Sequence, residues 1–209
     1  MVANTSGSLP RPITIIPGPD GNLWYTTDAG NYIYKMTTKG TTTSYPTTIN
    51  TKTLIFGPDG NIWINTYNNT QLQKMSMNGS ILATYTGLPA NGIDSDQMAI
   101  GSDKNIWLPN QRSNMIQKSD LNGNITNYLL TGSAQPIAIV AGPDGSLWFT
   151  ENGTSKVGRL PTSGIGLSEW GNGSNGMSAG AQPWGITVGS DGNIWFTERA
   201  TNKIGKLVY

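Results

Sequence analysis

The chain has 209 residues, of which 12% are charged, with no cysteine, no histidine and a formal net charge of +1. Without cysteine there are no disulfides or thiolate metal sites, and without histidine no Ser-His-Asp, Cys-His or zinc constellation can be assembled. A near-neutral chain with no basic cluster argues against nucleic acid or an anionic membrane as partner, and no run of about eighteen apolar residues offers a membrane-spanning helix.

The first residues, Met1 to Gly7, carry neither a basic nor an apolar stretch, so no signal peptide is visible and a cytoplasmic location is the default expectation. From there the chain repeats one phrase five times: Gly-Pro/Ser-Asp-Gly/Lys-Asn/Ser-Leu/Ile-Trp. Its tryptophans are Trp24, Trp63, Trp107, Trp148 and Trp195, spaced by 39, 44, 41 and 47 residues. A repeat of that length with strand chemistry inside it predicts one β-propeller blade per repeat.

The first repeat shows the pattern. Ile13 to Ile16 reads as an inner strand. Pro19-Asp20-Gly21 then reverses the chain, because Pro presets φ, Asp bonds its own backbone and Gly accepts a positive φ. Asn22 to Thr26 alternates as a second strand, and a third strand carries Ile33 and Lys35 on one face. Gly40 turns into an outer strand from Thr41 to Tyr45. The later outer strands are expected at Ile81 to Tyr85, Asn124 to Leu130 and Ile165 to Trp170.

Counted from each Trp, the columns hold without insertion. Gly stands six before it, an apolar residue nine after it, and Lys or Arg eleven after it (Lys35, Lys74, Lys118, Arg159, Lys206). The tryptophans are expected to pack between blades. The basic side chains are expected to lay their methylenes on apolar surface with their heads in water. The turn aspartates are explained by their own turns, on the rim opposite the site.

The fifth repeat stops before its outer strand. The N-terminus has 17 residues before Gly18, against 16 between Gly40 and Gly57, so Val2 to Ser6 has the length to supply that strand beside Lys203 to Tyr209. The expectation is all-β: a single β-propeller domain over 1–209, five four-stranded blades, the last closed by the N-terminal segment. An open part of a larger ring, completed by another copy, is the alternative.

The phrases Gly-Pro-Asp-Gly-Ser-Leu-Trp-Phe-Thr-Glu (142–151), Gly-Ser-Asp-Gly-Asn-Ile-Trp-Phe-Thr-Glu (189–198) and Asn-Lys-Ile-Gly-Lys (202–206) closely resemble the repeat of virginiamycin B lyases. The resemblance covers all five repeats and is strongest in the last two. It implies a propeller. Enzymes of that family are seven-bladed and open streptogramin B antibiotics by a magnesium-dependent elimination at the ester linkage. A histidine is the base and acidic residues help to hold the metal. Where a histidine can follow the proline of the family's inner strands, this chain has Ile13, Ile137 and Trp184, so the base is not carried over to any residue.

Strand direction places a site. The start of each first strand and the end of each second strand share a rim, and their columns diverge between repeats while their neighbours stay constant. Arg11, Lys52, Asp96, Asn110, Glu151, Trp184 and Glu198 are the ligand-binding candidates around the channel mouth. Glu151 and Glu198, in equivalent positions, read either as paired carboxylates or as acceptors for their own loops. Asp94 and Asp96 near Arg11 or Lys52 read equally as an ion-pair lattice. Trp184 reads as a stacking platform or as packing, Trp170 as a cover for a blade edge, and Gly171–Gly180 as a lid or a mobile loop.

The function expected is a non-catalytic ligand-binding or scaffold propeller without a cofactor, taking a small molecule, glycan or peptide at the mouth. One alternative is a streptogramin B lyase in which Glu151 and Glu198 hold magnesium. Another is a structural part of a larger assembly joined through blade edges. A monomer and a blade-edge oligomer both fit the sequence.

Overall fold

A computed structural model of the chain describes residues 11–28, 30–66, 71–89, 97–174 and 176–208. Among the described residues every regular element is a strand, and no helix is long and apolar enough to cross a membrane. The strands fall into two compact units, Met1–Ala90 and Asn91–Tyr209.

In the first unit, sheet 1 comprises β1 (Pro12–Pro17), β2 (Leu23–Thr27), β3 (Tyr32–Met36) and β4 (Thr42–Pro46). Sheet 2 comprises β5 (Thr51–Phe56), β6 (Ile62–Thr66), β7 (Gln71–Met75) and β8 (Ile81–Thr86). In the second unit, sheet 3 comprises β9 (Ala99–Ile100), β10 (Ile106–Asn110), β11 (Met115–Ser119) and β12 (Ile125–Leu129). Sheet 4 comprises β13 (Pro136–Ala141), β14 (Leu147–Glu151), β15 (Lys156–Leu160) and β16 (Ser168–Gly171). Sheet 5 comprises β17 (Pro183–Val188), β18 (Ile194–Glu198) and β19 (Lys203–Leu207). Each sheet is an antiparallel meander in sequence order, as the alternation of turns and short strands requires.

The five repeats are therefore five sheets. Among the described residues sheets 1 to 4 have the expected four strands and sheet 5 has three. Val2 to Ser6, expected to supply its fourth strand and close the last blade, lie outside the described residues. The outer strand of sheet 4 starts three residues later than expected, at Ser168. Gly164 (φ 78°) and Gly166 (φ 92°) both hold the chain in the left-handed region, which prolongs the turn and delays pairing.

The repeated phrase builds one clasp per sheet. In the fourth, Asp144 Oδ1 accepts the Ser146 backbone N–H at 3.2 Å, which shapes the turn, and the Trp148 indole N–H at 3.1 Å. Arg159, cross-strand from Trp148, donates from Nε to Asp144 Oδ2 at 2.5 Å with its guanidinium carbon 6.0 Å from the indole centre. The same indole-to-carboxylate bond recurs at Trp24–Asp20, Trp63–Asp59, Trp107–Asp103 and Trp195–Asp191. Lys74 and Lys206 reach the turn aspartate at 2.7 and 2.9 Å. The basic heads thus do not simply enter water: each is held between a carboxylate and an indole face, since a desolvated ring edge leaves the cation both partners. Burial alone would raise the pKa of Asp59 and of Asp144. The bonds from cation, indole and turn amides together outweigh it and hold both below the usual carboxylate value.

The glycine that opens the phrase is fixed by this clasp. A Cβ on Gly142 would stand 2.4 Å from Trp148 Cδ1 and 2.7 Å from Asp144 Oδ1. Only a residue without a side chain lets the indole lie on the backbone.

Sheets stack by one rule within each unit. The Trp and the apolar residue nine beyond it face the following sheet, and the residue nine before the Trp faces the preceding one. Trp24 and Ile33 pack with Leu54, Ile62 and Ile64, while Trp107 and Ile116 pack with Ile139, Leu147 and Phe149. Trp148 and Val157 pack with Ile186, Ile194 and Phe196. Trp24, Trp63, Trp107 and Trp148 are fully buried, each worth about 5 kcal/mol of apolar burial. On each of them lies an aromatic ring of the outer strand: Tyr45, Tyr85, Tyr128 and Trp170, at 5.4, 5.5, 5.3 and 5.1 Å between centres. Trp170 therefore takes the tyrosine's place in a stack rather than merely covering an edge.

The 171–180 stretch is neither lid nor free loop among its described residues. Met177 is buried in the core shared by sheets 4 and 5, Ser174 Oγ donates to the Gly171 carbonyl at 2.7 Å, and the Ser178 N–H points to Glu198. A single methionine anchor suffices, because its thioether fills an apolar gap that glycine-rich neighbours cannot.

Candidate functional site

The second strands end on a polar residue three positions after the repeat Trp: Thr27, Thr66, Asn110, Glu151 and Glu198, all buried. Four of them serve the turn to the third strand. Thr66 Oγ1 donates to the Gln71 carbonyl at 3.1 Å. Asn110 Oδ1 accepts the Ser113 N–H at 3.0 Å, and its Nδ2 donates to Gln117 Oε1 at 3.2 Å. Glu151 Oε2 accepts the Thr154 hydroxyl at 2.6 Å, and Glu198 Oε2 accepts the Thr201 hydroxyl at 2.8 Å. The step thus takes a hydroxyl donor in sheet 2 and an oxygen acceptor in sheets 3 to 5, where a carboxylate or an amide serves equally.

The two glutamates differ in what surrounds them. Burial pushes Glu151 up to about 7, and the neighbouring Glu169 carboxylate adds to the effect despite the Thr154 bond. Its Oε1 is buried without a hydrogen-bond partner. Glu169 itself is held by Lys156 at 2.7 Å. Burial also works to raise Glu198, but hydrogen bonds from Ser178 and Thr201 outweigh it and leave the carboxyl below its usual value.

As magnesium ligands these groups do not fit. Glu151 is fully buried, Glu169 is neutralised by Lys156, and no hydrogen bond or shared cation joins Glu151 to Glu198. Among the described residues no three acidic side chains cluster as a cation cage.

The remaining candidates are placed as follows. Arg11 is exposed and donates from Nε to Asp28 Oδ2 at 2.6 Å. Lys52 is buried in β5, where its carbonyl accepts the Thr26 hydroxyl at 2.7 Å. Asp94 and Asp96 lie outside the described residues. Trp184, in β17, is half-buried against the core of sheets 4 and 5, and its carbonyl accepts the Thr150 hydroxyl at 2.9 Å.

Trp184 and Glu198 do come together. They line an open cleft of about 700 Å³ with Arg199, Asn202, Lys203 and Ile204. The Arg199 guanidinium lies over the Trp184 ring at 4.7 Å, and Lys203 Nζ donates to Ser178 Oγ at 3.0 Å. The cleft offers a flat indole–guanidinium surface and a net positive lining, since its one carboxylate is buried in its own turn. Sequence reasoning missed Arg199, Asn202 and Lys203. The signal was available, because they follow Glu198 directly in the turn that the strand directions place on this rim. Glu151 and Asn110 serve turns of their own and do not line this cleft.

A second polar hollow of about 320 Å³ lies between the turn after β10 and the start of β13, lined by Gln111, Arg112, Asn114 and Gln135 among others. Asn114 there fastens one sheet to the next: its Oδ1 accepts the Gln135 N–H at 3.0 Å. One sheet on, Ser155 Oγ accepts the Gln182 N–H at 3.2 Å.

Residues 3–207 match the virginiamycin B lyase family. The structure is similar to that of a catalytically inactive virginiamycin B lyase from Staphylococcus aureus, in which alanine replaces a histidine, bound to quinupristin. The TM-score is 0.87 at 30% identity, over 98% of this chain and 69% of that one. A streptogramin B lyase gives a TM-score of 0.85 at 30% identity, over 97% of this chain and 67% of that one. Kuenenia stuttgartiensis hydrazine synthase, at 13% identity and a TM-score of 0.70 over 99% of this chain and 69% of that one, shares the fold alone. No curated protein matches the chain in sequence. With the family matched across nearly the whole length of the chain and the lyase structure similar over 98% of it, the chain belongs to the virginiamycin B lyase family.

Proposed function

We propose that the five sheets are the blades of a propeller that binds a small molecule in the Trp184 cleft without the elimination chemistry of its relatives. One observation carries this reading: the 209 residues contain no histidine. The matched Staphylococcus aureus enzyme is catalytically inactive when a histidine becomes alanine. Among the described residues neither rim glutamate offers such a base, because Glu198 is held below its usual value and Glu151 is sealed from solvent. What Trp184 brings instead is recognition: an indole face with Arg199 against it suits an aromatic or anionic group.

The lyase reading has its own support in the 30% identity to a streptogramin-binding enzyme. Incubation with magnesium and quinupristin, followed by mass spectrometry, separates the two. The proposal expects the antibiotic's mass to stay unchanged. It also expects quinupristin to quench tryptophan emission in the wild type and not in Trp184→Leu. Ring-opened product that disappears in Glu198→Gln would establish the lyase instead.

A further inference from the structure

The segment that leaves sheet 4 holds an asparagine–glycine pair in a setting that no other described pair shares. Gly171 to Ser174 form a tight turn. The Ser174 N–H bonds the Gly171 carbonyl at 3.3 Å, and the Ser174 hydroxyl donates to the same oxygen at 2.7 Å. The two central residues, Asn172 and Gly173, both lie at positive φ, 53° and 86°, as a mirror-image turn requires. The closing bond of such a turn uses the N–H of its last residue and leaves that of the third pointing away from it. Asn172 and Gly173 are both exposed. Among the described residues nothing accepts the Gly173 N–H and nothing bonds the Asn172 side chain.

The other pairs are held differently. In Asn78–Gly79 and Asn122–Gly123 the glycine is the last residue of its turn. Its N–H therefore closes the turn, on the Ser76 carbonyl at 3.0 Å and on the Asp120 carbonyl at 3.1 Å. In Asn152–Gly153 the N–H reaches the Ala134 carbonyl at 3.0 Å. The Asn78 side chain is engaged as well, since its Oδ1 accepts the Ser80 N–H at 3.2 Å. Asn91 and Asn175, which also precede glycine, lie outside the described residues.

We propose that Asn172 is a modification site, where the side-chain amide cyclises on the Gly173 nitrogen and is converted to aspartate and isoaspartate. The Gly173 nitrogen gives its proton to a solvent base and attacks Asn172 Cγ. The N–Cγ bond forms, the Cγ–Nδ2 bond breaks, and ammonia leaves with a proton taken from water. Water then opens the cyclic imide. Attack at Cγ gives aspartate. Attack at the main-chain carbonyl gives isoaspartate, whose backbone runs through the side chain and is longer by a carbon. Glycine suits the step because no Cβ shields its nitrogen, and an N–H without an acceptor has no bond to surrender first.

The position gives the change a consequence. Asn172 sits between two anchors: its own N–H donates to the Ser155 carbonyl at 2.8 Å, and Met177 is buried in the core shared by sheets 4 and 5. Just past Met177, Ser178 points its N–H to Glu198 and accepts the Lys203 ammonium on its hydroxyl at 3.0 Å. A longer backbone and a new carboxylate between the anchors would loosen Ser178 from both partners. Glu198 would then lose one of the bonds that hold its carboxyl below the usual value.

The test incubates the folded full chain in mildly alkaline buffer and follows each asparagine by peptide mapping, with fragmentation that tells aspartate from isoaspartate. Asn172 is expected to convert on the order of tenfold faster than Asn78, Asn122 and Asn152, whose glycine N–H groups must first break a hydrogen bond. In urea, where the turns are lost, the rates are expected to converge. Equal rates in the folded chain, or a slower Asn172, overturn the proposal. A preference that persists unchanged in urea overturns it too, because the turn would then play no part. Asn172→Gly removes the amide and suits the positive φ. Amide hydrogen exchange at Ser178 is expected to speed up in aged wild type and not in aged Asn172→Gly, and an equal rise in both overturns the link to Ser178.

Discussion

Glu151 and Glu198 close the second strands of successive sheets and each accepts the hydroxyl of the threonine three residues on, yet their acidities move in opposite directions. The difference is local. Glu151 is sealed beside a second carboxylate, whereas Glu198 gains the Ser178 N–H from a segment anchored by Met177. Identical repeat positions thus become a carboxyl that keeps its proton up to about pH 7 and one that gives it up more readily than usual.

That contrast fixes a pH dependence. Glu151 rises from about 4.5 unfolded to about 7 folded, so the folded state holds its proton more tightly. Its contribution is present in full below pH 4.5 and is lost as pH climbs through 7, by an amount on the order of 3 kcal/mol. Urea midpoints measured from pH 5 to 8 should fall for the wild type and stay flatter for Glu151→Gln. Glu198, lowered in the fold, contributes above about pH 4.5 and loses its contribution as pH falls further. Glu198→Gln should therefore alter only the acid limb.

The clasp predicts a contrast between two glycines. Gly142→Ala drives a methyl into the buried Trp148 ring and should cost about 2–4 kcal/mol. Gly192→Ala, at φ 75° with open space around it, should cost about 1 kcal/mol from backbone strain alone. Chemical denaturation of the two variants measures the difference, and equal losses would count against the clasp.

Trp170 should tolerate its repeat equivalent. Trp170→Tyr restores the ring that Tyr45, Tyr85 and Tyr128 provide on their own tryptophans and is expected to change stability by less than about 1 kcal/mol. Trp170→Ala removes the stack and should cost about 3 kcal/mol in the same assay.

Thr150 links core to cleft, since its hydroxyl accepts the Ala138 N–H and donates to the Trp184 carbonyl. Thr150→Val leaves both buried partners unmet and should cost about 1–3 kcal/mol. It should also shift the emission maximum of Trp184, read against a Trp184→Leu background. An unchanged spectrum would show that the hydroxyl does not position the indole.

The repeat made most of the fold legible. Five tryptophans at blade spacing, a Pro-Asp-Gly turn and a basic residue eleven beyond each Trp place the sheets and the turns almost to the residue. Cross-strand register then confirms the basic column opposite the indole, from Trp24↔Lys35 to Trp195↔Lys206. The outer strand of sheet 4 escaped because two glycines, not one, hold its turn open. The rim was legible as a direction and not as a list. Asn110, Glu151 and Glu198 end β10, β14 and β18, but strand direction does not say whether a side chain turns inward to its own loop.

What the sequence determined by itself is therefore everything local: strand, turn, clasp and the missing histidine, each set by residues within one repeat. What the tertiary structure alone decided is how unequal the repeats become once stacked. The same glutamate is sealed in sheet 4 and bonded to a neighbouring segment next door, and the same Trp–Ile face is fully buried on sheets 1 to 4 yet open on sheet 5. Burial and acidity depend on what lies against each residue once the sheets stack: Leu54 reaches Trp24 from the next sheet, and Glu169 and Ser178 reach Glu151 and Glu198 from other strands and loops, so the repeated phrase alone does not carry them.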